Sequence, residues 1–359
     1  MGWRVWADKA QRLLTDHFWD GRRRIFRVRA GHRLLRSPHW HYWWQAHALD
    51  VLADAAGRAG DRNGEVRARI AAFVPGIVAR NGGRVGNDYR DDMAWMGLAL
   101  LRAGPVAGVP TIGLVRELWA EILAGWDHDH GGVIWRRGDT YTNAPTNAPA
   151  AMLGARLYLR DQDPADLTWA QTIDAWLHET LVDATTGTVR DGIHPGTDPG
   201  PSIERYTYNQ GTVVGASLAL HQATGDGRHL ARAGRAAGAA LTGFVRAEDG
   251  LLIAEGTGDG GLFKGILARH LGDFVLALHD LPDPPGDCRQ LAEQIAGTLR
   301  RNGVAIAPAA ARGPVGPDWA RPQAGAGDLS TYLSAVLLLE TLARMEAAGV
   351  VLEPPGQPP

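Results

Sequence analysis

The chain is poor in cysteine, in unbroken apolar stretches and in net charge, and each shortage removes a class of protein. Its 359 residues hold one cysteine, Cys288, so neither an intramolecular disulfide framework nor a cysteine-rich zinc or iron–sulfur site can form. Such a chain is at home in a reducing compartment. With 37 Lys and Arg against 39 Asp and Glu, the formal charge of −2 supplies no basic field to draw nucleic acid or anionic lipid. No run of 18 or more apolar residues occurs, so no membrane-spanning helix is expected. Residues 1–20 are interrupted by Arg4, Asp8, Lys9 and Arg12 and have no signal-peptide h-region or small-residue cleavage site. The expected location is therefore cytoplasmic as the sequence stands, or secreted if a leader has been removed. No Pro-rich or Ser-rich linker and no fixed-period repeat divides the chain, which disfavours a strict solenoid. A single domain over residues 1–350 is expected, with a Pro-rich tail at 351–359 and no partner subunit.

At 45% hydrophobic and 21% charged, the chain can bury a large core and lies far from the composition of disorder. Tryptophan is in excess, 13 against 7 Tyr and 6 Phe. A flat indole fills a core, but it also stacks on the apolar face of a sugar ring.

Apolar positions recur every three to four residues in segment after segment, between short breaks containing Gly, Pro or Asp. This periodicity predicts helices over 3–18, 38–59, 63–80, 91–103, 111–124, 145–160, 164–181, 206–223, 227–243, 263–279, 286–301 and 327–347. One closed, all-α domain accommodates these twelve. The connections 125–144 and 182–205 are too long for simple turns, and their Gly pairs, β-branched residues and aromatics predict functional excursions or hairpins.

The most informative segment is NDYRDDMAWMGLALLR, residues 87–102, where Asp91 and Asp92 open an apolar helical run containing Trp95. Acidic residues in a first helical turn are often caps that satisfy free N–H groups and complement the dipole. Adjacent carboxylates also repel, and that drives their pKa values apart, as a division of labour between an ionised nucleophile and a protonated acid requires. Both readings stand on this segment alone.

The segment resembles the Asp-Asp motif of glycoside hydrolase family 76, the endo-α-1,6-mannanase family. Other segments agree with that family in order along nearly the whole chain: Tyr42-Trp43-Trp44-Gln45-Ala46-His47, Gly131-Gly132-Val133-Ile134-Trp135, Thr142-Asn143-Ala144-Pro145-Thr146-Asn147, Asp191-Gly192, Tyr206-Thr207-Tyr208-Asn209-Gln210-Gly211 and Phe263-Lys264-Gly265-Ile266. The resemblance implies an (α/α)6 barrel of six inner and six outer helices, in keeping with the count of twelve. It also implies a retaining hydrolase of α-mannan or manno-oligosaccharides, with Asp91 as nucleophile and Asp92 as general acid/base. Such a mechanism needs two carboxyls about 5–5.5 Å apart across the glycosidic bond.

Trp44, Gln45, Tyr89, Trp95, Asn143, Asn147, Asp191, Tyr208, Asn209 and Gln210 are the candidate sugar-binding lining, since amides and carboxylates grip vicinal hydroxyls and aromatics offer stacking faces. Each has a structural alternative: Trp43 and Trp44 cannot both face one side of a helix, and Asn143 and Asn147 are placed to cap the next one. No cofactor or metal is expected. His39, His41, His47, His128 and His130 match no zinc spacing, and the acidic, Gly-rich loop at 127–132 is the one place for a structural calcium. No Gly-x-Ser-x-Gly elbow is present, and GDGG at 258–261 follows no strand, so neither a Ser triad nor a phosphate loop is expected. Two other functions remain compatible with the residues, a transglycosylase on α-mannosides and a non-catalytic carbohydrate-binding protein.

Overall fold

A computed structural model describes residues 2–30, 40–59, 64–196, 200–323, 327–350 and 353–356. His39, the start of the second expected helix, residues 324–326 with Gly325 and most of the Pro-rich tail lie outside them. Among the described residues there are twelve helices: α1 (Trp3–Phe18), α2 (Tyr42–Ala59), α3 (Gly64–Arg80), α4 (Arg90–Ala107), α5 (Ile112–Leu123), α6 (Ala144–Asp161), α7 (Pro164–Thr180), α8 (Thr207–Thr224), α9 (Gly227–Phe244), α10 (Gly260–His279), α11 (Gly286–Ala310) and α12 (Leu329–Ala347). Each expected helix is present. The largest difference is α11, which runs nine residues further, through Pro308.

The even-numbered helices pack in a closed ring, α2 on α4, α4 on α6 and onward to α12, which returns to α2. The odd-numbered helices form the outer layer of an (α/α)6 barrel, α3, α5, α7, α9 and α11 each against the preceding inner helix and α1 against α12. The sequences explain which helix goes where. In α8 and α12 nearly every position is buried, because an inner helix is covered on all sides. In α9, by contrast, Leu230, Ala233, Ala237, Ala240 and Phe244 form one buried stripe and the other face carries arginines. Inner helices also approach closely: a Cβ on Gly265 of α10 would lie 2.4 Å from Cα of Ser334 on α12, so the crossing requires glycine there.

Connections from an outer helix to the next inner helix carry short hairpins. β1 (Trp19–Asp20) pairs with β2 (Ile25–Phe26), bridges join Trp126 to Val133, Val182 to Val189 and Val245 to Leu252, and β3 (Thr142–Asn143) joins β4 (Gly192–Ile193) between the two long connections. Both excursions expected from the sequence are therefore hairpin-bearing, and they gather at the mouth formed by the N-termini of the inner helices.

Candidate active site

Asp91 and Asp92 lie in the first turn of α4, but the N-cap is Tyr89 and no side chain caps this helix. Neither carboxylate is thus the N-cap of α4. Asp91 Oδ1 is buried without a hydrogen-bond partner, whereas Asp92 Oδ2 accepts from Asn87 Nδ2 at 2.6 Å. Burial raises the Asp91 carboxyl to about 7, against the opposing pull of the Asp92 backbone N–H and the Trp135 side chain. Asp92 is likewise pushed well above its ordinary value, first by burial and then by the charge of Asp91. Burial and mutual repulsion thus disfavour ionisation of both carboxyls at once, and the pair titrates as a unit. The N-terminus of α4 favours the remaining negative charge on Asp91.

Around the pair the structure divides the expected lining in two. Asp191 reaches the mouth, where Oδ2 accepts from Tyr141 Oη at 2.6 Å and Oδ1 accepts from Asn209 Nδ2 at 2.8 Å. The Tyr208 ring stacks on Phe263 at 4.0 Å, and its phenol is raised first by burial and then by the charges of Asp191 and Asp91. Tyr89 stands at the rim, edge-on to Trp135 and below Arg136. Trp95 forms the floor one turn below Asp91, 4.7 Å from the ring of His47. Asn209 is fully buried, with its Oδ1 unpartnered.

The other amides hold the scaffold. Gln45 accepts from the backbone N–H of Phe26 and donates to the same residue's carbonyl. Asn147 does the same to Val133, at 2.7 and 3.0 Å, and also donates to the Asn143 carbonyl. Gln210 accepts from Val189 N–H and donates to the carbonyls of Gly187 and Ala236. Each clamps a hairpin onto an inner helix, a task that an amide suits because it carries both a donor and an acceptor, as a neighbouring strand would. Asn143 caps α6, its Oδ1 accepting from Thr146 N–H. These four are buried structural groups rather than cleft lining.

Trp44 also needs correction. It is 1% exposed, covered by the stacked His41 ring, and the adjacent Trp43 is turned toward Tyr208 and Phe263 instead. Both indoles donate to Asp259 Oδ1, at 3.0 Å from Trp43 and 2.9 Å from Trp44. Asp259, Trp43, Trp135, Phe263 and Asn87 were not anticipated as site residues. Asp259 sits in the GDGG segment read above only for its glycines, and its charge adds to the upward push on both Asp91 and Asp92.

Among the described residues no group of three or more His, Cys, Asp or Glu side chains is arranged to hold a metal ion. In the loop considered for calcium, Asp127 Oδ1 accepts from the backbone of Asp129 and His130 and Oδ2 faces the His130 ring. Its oxygens serve the turn. No described helix is long and apolar enough to cross a membrane.

A closed double ring of helices with paired carboxyls at its mouth is an (α/α)6 barrel with a candidate acid–base site. The chain belongs to glycosyl hydrolase family 76, whose sequence model matches residues 6–304. It is similar to the GH76A α-1,6-mannanase from Salegentibacter sp. HEL1_6, with 36% identity over 96% of this chain and 99% of that one and a TM-score of 0.84. An inactive variant of the same mannanase, with two consecutive aspartates changed to asparagine and α-1,6-mannotriose bound, matches at 35% identity, 96% and 99% coverage and a TM-score of 0.82. The Lin0763 protein from Listeria innocua matches at 28% identity, 97% and 98% coverage and a TM-score of 0.83. No curated protein matches the chain.

Proposed function

We propose that the protein hydrolyses α-1,6-mannosidic linkages with retention of configuration, with Asp91 as nucleophile and Asp92 as general acid/base. The observation that carries this reading is the asymmetry of the pair: Asp91 has a free oxygen at the helix N-terminus, whereas Asp92 is held by Asn87, and burial raises both carboxyls. Side chains one residue apart on a helix point about 100° apart, so two carboxyls approach one bond from different directions. Asp91 attacks the anomeric carbon while Asp92 protonates the departing oxygen, and the covalent mannosyl-enzyme forms. Asp92, now ionised, takes a proton from water, which displaces Asp91. Asn87 holds one Asp92 oxygen in place and leaves the other to handle the proton. The inactivation of the Salegentibacter mannanase by changing two consecutive aspartates supports a chemical role for such a pair.

Incubation with α-1,6-manno-oligosaccharides of graded length tests this directly. NMR during the first turnovers should show the new reducing end as the α-anomer, and excess acceptor sugar reveals any transglycosylation. A first-formed β-anomer, or intact oligosaccharide in the presence of correctly folded protein, overturns the reading.

A further inference from the structure

Below the floor of the cleft, the barrel axis is charged where a core would be expected to be apolar. A cavity of about 60 Å³ is lined by His47 and Asp50 of α2, Trp95 and Arg102 of α4, Arg156 of α6, Arg269, His270 and Asp273 of α10 and Arg344 of α12, with a few apolar side chains. All oxygens of the three carboxylates in this region are engaged. Asp50 pairs with Arg102 and Arg269, Asp54 with the same two arginines, and Asp273 with Arg344 and the His270 ring.

The donors are not used up. No described residue accepts a hydrogen bond from Arg156 or forms an ion pair with it. The Nε groups of Arg269 and Arg344 and Nε2 of His47 are likewise buried without partners. A guanidinium carries donors only and stays charged in proteins. Four guanidinium groups thus face three carboxylates, and burial keeps His47 and His270 in the neutral form. Arg156 is partly exposed and feels the charges of Asp273 and Asp50, but among the described residues no acceptor faces its N–H groups or the buried Nε groups of Arg269 and Arg344.

We infer that this cavity binds one small monovalent anion, chloride or another halide, against Arg156, Arg269 and Arg344. The volume admits a monatomic ion together with water. A second cavity, of about 230 Å³, shares Arg156 and Asp273 with the first and extends to Gln222 and Asp280 near the ends of α8 and α10. The bound ion completes the charge balance beneath the catalytic helix and so stabilises the folded barrel.

Thermal melting of the full chain in sodium gluconate, with chloride substituted at constant ionic strength, reads this out. The wild type should show a saturable rise in Tm of a few degrees, and Arg156→Met should melt independently of chloride. Superimposable wild-type melts overturn the inference, as does a chloride response that survives in Arg156→Met. Should that variant not fold, bromide-soaked wild-type crystals decide: an anomalous peak beside Arg156 supports the site, and a cavity without one refutes it.

Discussion

Replacing Asn147 with Ala separates a clamp from a sugar ligand. Its side chain makes three buried hydrogen bonds, one accepted from Val133 N–H and two donated to the carbonyls of Val133 and Asn143. Val133 is itself fully buried, so water is a poor substitute. An orphaned buried donor costs about 1–3 kcal/mol, and with the two carbonyls deprived as well the loss is roughly 3–4 kcal/mol. Unfolding entropy of about 2.1 cal/mol/K per residue gives roughly 0.75 kcal/mol/K for 359 residues, so Tm should fall by roughly 4–5 °C. Calorimetry measures that shift, and steady-state kinetics on α-1,6-mannotetraose should show KM little changed. A Tm within about 1 °C of wild type together with a KM raised about tenfold or more would show that Asn147 binds sugar and that the clamp argument is mistaken.

The two neighbouring tryptophans should fail in opposite ways. Trp43→Ala raises KM with a modest effect on melting, whereas Trp44→Ala, which empties a fully enclosed site, costs about 3–5 kcal/mol in chemical denaturation; the reverse pattern would restore Trp44 to the cleft. The pH profile of kcat/KM should fall on the acid side as Asp91 takes up a proton, with a midpoint raised from the usual 3.8 toward about 7, and on the alkaline side as Asp92 loses one. Asp259→Asn retains an oxygen for the two indoles but removes a negative neighbour, so both limbs should move to lower pH, by a few tenths of a unit because Asp259 is more than half exposed. Movement to higher pH would contradict that electrostatic reading.

The helices were legible because periodic apolar residues act locally, and the even–odd alternation of fully covered and one-sided helices follows from the same pattern. Side-chain roles were harder to read. An amide beside a hairpin looks the same in sequence whether its partner is a sugar hydroxyl or a strand, and only the register of Phe26, Val133 and Val189 shows that Gln45, Asn147 and Gln210 are clamps. Trp43 and Trp44 differ by about 100° around α2, and the choice between them depends on where Asp259 lies, more than 200 residues away in the chain. Asp50, Asp54, Arg102 and Arg269 would by residue type be placed on a solvated helix face. Their burial is possible because each finds its counter-charge on a different inner helix once the ring closes.

Azide rescue of the two aspartate variants on an activated aryl α-mannoside tests the central claim most directly. Asp91→Asn should be inactive with or without azide, because no covalent intermediate can form. Asp92→Ala should form the mannosyl-enzyme and release it slowly, and azide, which needs no general base, should accelerate that release to give α-mannosyl azide. Helical circular dichroism matching wild type establishes that both variants are folded. Rescue confined to Asp91→Asn, or near-normal turnover by both variants, would contradict the assigned roles.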